Sequence, residues 1–543
     1  MRVSEAVVDR LVAHGIDTVF GIPGKQTLPL NDAIGDSDGI DFVVARHETA
    51  VSHEAWGYAE TSGSMAATCV VPGPGDMNAM NGLKNALNDC TPLLHLAVET
   101  EPDIRGGDGI HETPPDTYDN VVKENILVEN PEATIAEIER AIAVAQTPPK
   151  GPVRVGIPKN FLPMDAVLAE PGDYTTESVH GVDEDALGDA VDALNDAERP
   201  VILAGGGVRS ADASGALVGV AETLDAPVVT TYKGKGTIPE DHDLSAGVLC
   251  GGASPDLLDL LSSSDALLAV GTDFDAVATR SWSVEMPETL VHVTLDPEDV
   301  GTGYAPTVAL VADAGAALSG LAGRLERTEN REGAARATTV READADRMAA
   351  LRDTDQPPLT SVAALDAVRD ATPRETPVSV DAGGFRIWTL VSFPAYGPRS
   401  YVNPGSWATM GTGLPAAIGA ARANPGEHVL ALSGDGGLMM CIHELHTAAA
   451  EDLPVVLVAF NNADYAIISE EAQRSYGLDA YDWPETPLSL SAIADGMGVE
   501  TARAETPNEI RDAVSAAFDR DGPTLVEVPT DPAEPQANVH MRD

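Results

Sequence analysis

Asp435 and Asn462 are the two residues whose types and surroundings best define a chemistry for this sequence. Asp435 offers a hard carboxylate oxygen, and Asn462 a neutral amide oxygen. Asp435 stands within Ser433-Gly434-Asp435-Gly436-Gly437. Gly434, Gly436 and Gly437 let the backbone approach a ligand closely and aim N–H groups at phosphate. A small oxygen-seeking ion such as Mg²⁺ is usually held by few protein ligands plus substrate phosphates. The pair therefore reads as a site for a metal-bridged diphosphate. Either half alone could be an ordinary turn, with Asp435 capping a helix or Asn461-Asn462 closing a loop. Their coincidence favours the ligand.

Such a site needs two neighbouring strand ends. The apolar run Val429–Leu432 precedes the glycine turn, and a helix-like segment follows through Leu438, Met439, Ile442, Leu445 and Ala448. A second apolar run, Pro454–Phe460, leads into Asn461-Asn462. That order is strand, turn, crossover helix, parallel strand. It places both residues at carboxyl ends of adjacent parallel strands, where open α/β sheets bind ligands.

The same alternation recurs along the chain and predicts an α/β fold of three doubly wound parallel-sheet domains, over residues 1–165, 186–325 and 358–530. Strands are expected at 18–20, 41–45, 66–71, 93–98 and 153–157 in the first domain. The second should hold strands at 200–203, 227–231, 266–270 and 290–294, and the third at 377–380, 429–432, 455–460 and 524–528. Residues 163–179 and about 325–355 read as linkers, the latter with one helical stretch. The acidic tail after Pro529 is expected to be partly mobile.

The pattern Gly434-Asp435-Gly436 … Asn461-Asn462 resembles the thiamine diphosphate fingerprint. Phe20-Gly21-Ile22-Pro23-Gly24, Arg46-His47-Glu48, Gly73-Pro74-Gly75-Asp76-Met77-Asn78 and Gly411-Thr412-Gly413-Leu414-Pro415 follow in family order. Over essentially its whole length the chain resembles the acetolactate synthase and 2-oxo-acid decarboxylase superfamily. The resemblance implies thiamine diphosphate and Mg²⁺ as cofactors and a 2-oxo acid as substrate. It also implies a homodimer or homotetramer with each active site between subunits. The expected reaction is acetolactate synthase-like: a 2-oxo acid is decarboxylated and the remaining fragment passes to a second carbonyl. A simple decarboxylase of the benzoylformate or pyruvate kind is the alternative, and a non-catalytic cofactor binder is another.

The resemblance also assigns residues. Glu48 begins a small-residue helix after a hydrophobic strand, and it exchanges a proton with the aminopyrimidine of a partner subunit's cofactor. A carboxyl shielded from water can hold that proton near neutrality, whereas a structural Glu here would merely complement a helix terminus. Met410 wedges between the two cofactor rings, with Ala408 C=O and Met410 N–H on the aminopyrimidine. The backbone of Gly383, Gly384 and Phe385 surrounds the diphosphate, and Asp464 joins Asp435 and Asn462 as a metal ligand. Pro23 and Asn78 belong to the cofactor-binding set. Ile110-His111 align with a substrate-facing Phe-Gln pair of the synthases, which makes His111 a candidate acid. Lys25 and Lys159 are candidate carboxylate contacts. Glu471 stands where the synthases carry a substrate-sensing Trp. FAD is doubtful: Pro149 and Val277 replace the family's flavin-binding arginines, and Gly205-Gly206-Gly207 alone is a weak nucleotide signal.

Composition sets the surroundings. The net charge is −53 with 33 Lys and Arg against 86 Asp and Glu, spread along the chain. This resembles a halophile's surface, on which salt screens self-repulsion. It also argues against nucleic-acid or anionic-membrane partners, which need basic surface. Four scattered cysteines and no long apolar run are read as a cytoplasmic protein with reduced thiols.

Overall fold

The computed structural model describes residues 1–107, 111–114, 116–167, 181–328 and 331–542. The first sheet comprises β1 (Thr18–Gly21), β2 (Asp41–Val44), β3 (Ala66–Val70), β4 (Leu93–Glu99), β5 (Glu124–Leu127) and β6 (Val153–Pro158). Its order is β2-β1-β3-β4-β6-β5. The second holds β7 (Pro200–Ala204), β8 (Val228–Thr231), β9 (Ser245–Leu249), β10 (Ala266–Val270), β11 (Thr289–Thr294) and β12 (Val308–Val311). It runs β12-β11-β10-β7-β8-β9. The third has β13 (Val378–Val380), β14 (Tyr401–Val402), β15 (Val429–Gly434), β16 (Val455–Asn461), β17 (Glu500–Arg503) and β18 (Thr524–Pro529), in the order β14-β13-β15-β16-β18-β17. All three sheets are wholly parallel. Their central strands, such as Ala-Leu-Leu-Ala-Val in β10, are buried from end to end, as helices on both faces require.

The first and third domains meet through two helices. The helix Glu48–Ser62 is buried on nearly every face and crosses the helix Gly413–Ala423 backbone against backbone. A Cβ added to Gly57 would lie 2.2 Å from Ala416 O, and one on Gly419 would lie 1.8 Å from Glu54 O. The first of these helices starts where His47 Nδ1 accepts the Thr49 N–H at 3.2 Å, and it ends at Gly63 with φ +75°.

All three domains converge on one partly buried cation. Lys233, just past β8, donates to Glu60 and Asp89 of the first domain at 3.0 Å each, and to Asn403 O of the third at 3.3 Å. Arg209 joins it on Glu60 at 2.6 Å.

Three sequence expectations need correction. The crossover after Asp435 is not one helix but three short pieces, Asp435–Leu438, Ile442–Glu444 and Leu445–Ala450. The 325–355 stretch is fastened rather than free. Its helix Gly333–Arg352 lies against the central domain, and buried Arg336 donates to Arg199 O and Pro200 O. The tail after Pro529 is packed, with Thr530, Gln536, Ala537 and Met541 buried. The first linker lies partly outside the described residues.

Candidate active site

The third domain encloses a cavity of about 330 Å³ at the carboxyl ends of β13, β15 and β16. Asp435, Asn462 and Asp464 line it, together with Gly434, Gly436 and Gly437. Asp435 opens the short helix after β15, and its Oδ1 and Oδ2 accept the N–H groups of Gly436 and Ala463 at 2.8 Å each. Asn462 Oδ1 takes the Asp464 N–H at 3.2 Å, and Asp464 accepts the Ser469 hydroxyl. Among the described residues, no Lys, Arg or His pairs with Asp435 or Asp464. Burial, opposed by the Gly436 and Ala463 N–H groups and reinforced by the charge of Asp464, pushes the Asp435 carboxyl up to about 6. A buried carboxylate without a cation, beside a second acid and an amide oxygen, is a donor set suited to a small hard cation.

The glycine turn is a cradle with little room to spare. A Cβ on Gly436 would lie 2.6 Å from the Tyr465 ring and 3.5 Å from Met410 Cε. One on Gly437 would lie 2.7 Å from Asp381 Oδ2. Gly383 (φ +140°), Gly384 and Phe385 form the opposite wall, with Ala408 and Met410 at the rim. These residues fit a diphosphate carried on a metal: oxygen ligands beside a glycine turn that puts no side chain of its own into the cavity.

The remaining assigned residues gather elsewhere. Pro23, Glu48 and Asn78 lie at the carboxyl ends of β1, β2 and β3 and do not line this cavity. They form a second group: Asn78 Nδ2 donates to Glu48 Oε2 at 3.0 Å. A Cβ on Gly75 would sit 3.1 Å from Glu48 Oε1, and one on Gly24 2.1 Å from Val71. Glu48 is half-buried and Asn78 exposed. His111 is exposed too, in the left-handed region at φ +64°, with its backbone against Gly73. Ile110 lies outside the described residues. Lys159 is occupied by Glu101 at 2.9 Å, and Glu471 by Arg474.

Sequence reading missed two contributors. Asp381 directly follows β13, and its fully buried carboxylate collects the N–H groups of Ala382 (2.7 Å), Gly411 (2.9 Å) and Thr412 (3.2 Å) and the Ser433 hydroxyl (2.9 Å). It ties the wall, the Met410 loop and β15 together. Its place at the head of Asp-Ala-Gly-Gly was the available signal. The tail supplies Glu534 and Gln536 to the cavity wall, and no local pattern announces that.

Glu534 accepts from the Ser361 N–H and hydroxyl at a helix N-terminus. Burial, with Asp531 adding to it, still pushes its carboxyl up to about 7. The folded chain therefore keeps a proton that the unfolded chain releases near pH 4.5. The stability tied to that proton is present below the ordinary carboxylate range and lost as pH rises through 7. Glu534→Gln is expected to flatten this slope, by at most about 3 kcal/mol between pH 5 and 8. Parallel thermal melts across that range check it; equal slopes in both proteins would refute the assignment.

The glycine triplet of the central domain is engaged within the fold. Gly205 and Gly207 donate their N–H groups to Val270 O and Gly271 O at 2.9 Å, and a Cβ on Gly205 would lie 2.2 Å from Gly271 O. Two of the triplet's amides are thus used within the protein.

Comparison with known proteins gives consistent matches. Residues 1–120, 187–321 and 381–528 match the N-terminal TPP binding, central and C-terminal TPP binding domains of thiamine pyrophosphate enzymes. A probable acetolactate synthase large subunit of Methanocaldococcus jannaschii is 31% identical, over 98% of this chain and 93% of the relative. Acetolactate synthase isozyme 1 large subunit of Escherichia coli is 30% identical, over 98% and 94%. A probable 2-ketoarginine decarboxylase of Pseudomonas aeruginosa is 33% identical, over 97% and 94%. An X-ray structure described as a candidate thiamin diphosphate-dependent enzyme from Mycobacterium smegmatis superposes with a TM-score of 0.82 at 25% identity, over 98% of this chain and 99% of that one.

Proposed function

Because the chain belongs to the thiamine pyrophosphate enzyme family and is a thiamine diphosphate-dependent enzyme similar to acetolactate synthase large subunits, we propose that it decarboxylates a 2-oxo acid and passes the remaining fragment to a second carbonyl. The observation that carries this reading is Asp435 beside Asn462 at adjacent strand ends, facing a glycine cradle. When bound, thiamine diphosphate supplies a thiazolium carbon able to add to a ketone and accept the electron pair that CO₂ leaves behind. The protein's part is to hold and activate it. Asp435, Asn462 and Asp464 would hold Mg²⁺, and the backbone around Gly437 and Gly384 would hold the diphosphate. Ala408 C=O and Met410 N–H would hold the aminopyrimidine, with the Met410 side chain beside it. Glu48 moves a proton to and from the aminopyrimidine nitrogen, and Asn78 steadies its carboxylate.

Two copies make one site in this reading. Glu48 and Asn78 are absent from the wall of their own chain's cavity. Its surroundings leave Trp407, Met439, Met440, Tyr465 and Ile468 exposed, and Met77 is exposed beside Asn78. In a chain with only 4% aromatic residues, that much exposed apolar surface favours a covering second copy. No helix among the described residues is long and apolar enough to cross a membrane.

The test is purified protein with Mg²⁺ and thiamine diphosphate, offered a panel of 2-oxo acids while CO₂ and products are measured together. Carboligation gives a condensed hydroxy-oxo acid, whereas plain decarboxylation gives an aldehyde. The second outcome is favoured by Glu471 in place of the synthases' Trp and by the 2-ketoarginine decarboxylase relative.

The assays belong in concentrated salt. With a charge of −53, self-repulsion at low ionic strength is screened over about 30 Å at 0.01 M but about 3 Å at 1 M. The melting temperature is expected to climb steeply with KCl. A flat profile from low to molar salt would remove the halophilic reading.

A further inference from the structure

The short helix Ile442–Glu444 carries a buried acid that the reaction above does not use. Glu444 is fully buried, and its two carboxylate oxygens accept the Arg46 N–H at 3.0 and 3.1 Å. Oε1 also accepts the His47 N–H at 2.9 Å, and the Thr447 hydroxyl donates to Oε2. Arg46 and His47 are the two residues before Glu48, and His47 is the cap of the helix that Glu48 begins. The same segment is gripped a second time: Arg46 Nε donates to His446 Nδ1 at 2.8 Å. One turn and a half further along the catalytic helix lies Glu54, fully buried against Glu444. No N–H or O–H of another group reaches either Glu54 oxygen. Burial, with the charge of Glu444 adding to it, pushes the Glu54 carboxyl above its ordinary range.

We propose that Glu444 is a positioning residue that fixes the entry to the Glu48 helix. The third domain thereby sets where its own chain's Glu48 stands. The rigid crossing at Gly57 and Gly419 fixes the helix sideways; Glu444 fixes its rotation and its start. This also joins the two half-sites within one chain, because Glu444 belongs to the same crossover that Asp435 opens. The inference rests on Glu48 being the acid that exchanges a proton with the cofactor.

The test uses the full-length protein in three forms: Glu444→Ala, Glu444→Gln and, as a reference, Glu48→Gln. Without cofactor, amide hydrogen exchange is followed by mass spectrometry in peptides covering residues 43–49. With thiamine diphosphate and Mg²⁺, the deuterium exchange of the thiazolium proton and the cofactor affinity are measured. Glu444→Ala should lose protection at Arg46 and His47, keep its cofactor affinity, and exchange the thiazolium proton about 10²-fold more slowly, the loss typical of a roughly 1 Å misplacement. Glu444→Gln retains one acceptor oxygen and should fall between. Unchanged protection, or unchanged thiazolium exchange while Glu48→Gln is slow, overturns the positioning role. Normal thiazolium exchange in Glu48→Gln instead overturns the reading of Glu48. If neither Glu444 variant folds, the residue is structural and the proposal fails.

Discussion

Glu48→Gln is expected to bind thiamine diphosphate and Mg²⁺ nearly as well as the unaltered enzyme, yet to exchange the thiazolium proton and turn over about 10²–10⁴-fold more slowly. Glutamine keeps the shape and can still meet Asn78, which reaches Glu48 Oε2 at 3.0 Å. It cannot exchange a proton with the aminopyrimidine nitrogen. If Glu48 only complemented the positive end of its helix, the cost would be about 0.3–1 kcal/mol of stability, with exchange untouched. Quenched-flow deuterium exchange read by NMR separates the two. A loss smaller than about tenfold is incompatible with general acid–base work. In the single chain Glu48 is only half-buried, so under the proposed two-copy site the water exclusion this role needs would be supplied by the second copy.

Asp435→Ala should remove cofactor binding rather than the fold. Even groups that merely orient metal ligands are worth about 10–100-fold in affinity, so the loss of a ligand should exceed about 10²-fold. The fold has little to lose, because this carboxylate is buried, lacks a cation and sits near 6. Its deletion frees only the N–H groups of Gly436 and Ala463. Titration calorimetry with thiamine diphosphate and Mg²⁺, next to a melt of the cofactor-free protein, gives both numbers. Wild-type affinity in the variant would reject the metal assignment, and a chelator should reproduce the variant's behaviour in the unaltered enzyme.

What the sequence disclosed follows from where each residue's partners lie. Central strands are continuous apolar runs because both faces are covered, and all of them were readable. The strands without a clear signal are β5, β9, β12, β14 and β17, every one of them at a sheet edge. There β17 reads Glu-Thr-Ala-Arg and is half-exposed, β14 has two residues, and β9 carries an irregularity opposite Val228/Val229. An edge strand is specified by its neighbour as much as by itself. The glycine turn and Asn462 were legible because strand, turn and ligand are contiguous. Glu444 was not, since its partners Arg46 and His47 belong to the first domain. The tail read as a loose acidic end, because nothing local shows that Gln536 and Met541 are buried. The helix Gly333–Arg352 gave a weak pattern because so few of its twenty residues face the core.

Lys233 has a consequence for how this architecture can be recombined. One ammonium group is shared by Glu60 and Asp89 from the first domain and a carbonyl from the third. A central domain grafted from a relative lacking the Lys233 cation would leave Asp89 without its counter-charge and Glu60 with Arg209 alone. Removing one partner of a buried ion pair costs about 3–5 kcal/mol, a large fraction of the roughly 5–15 kcal/mol that stabilises a native protein. Natural shuffling and deliberate chimeras meet the same rule. The three domains look like separable modules by their sheets, but one ammonium group ties their charges together.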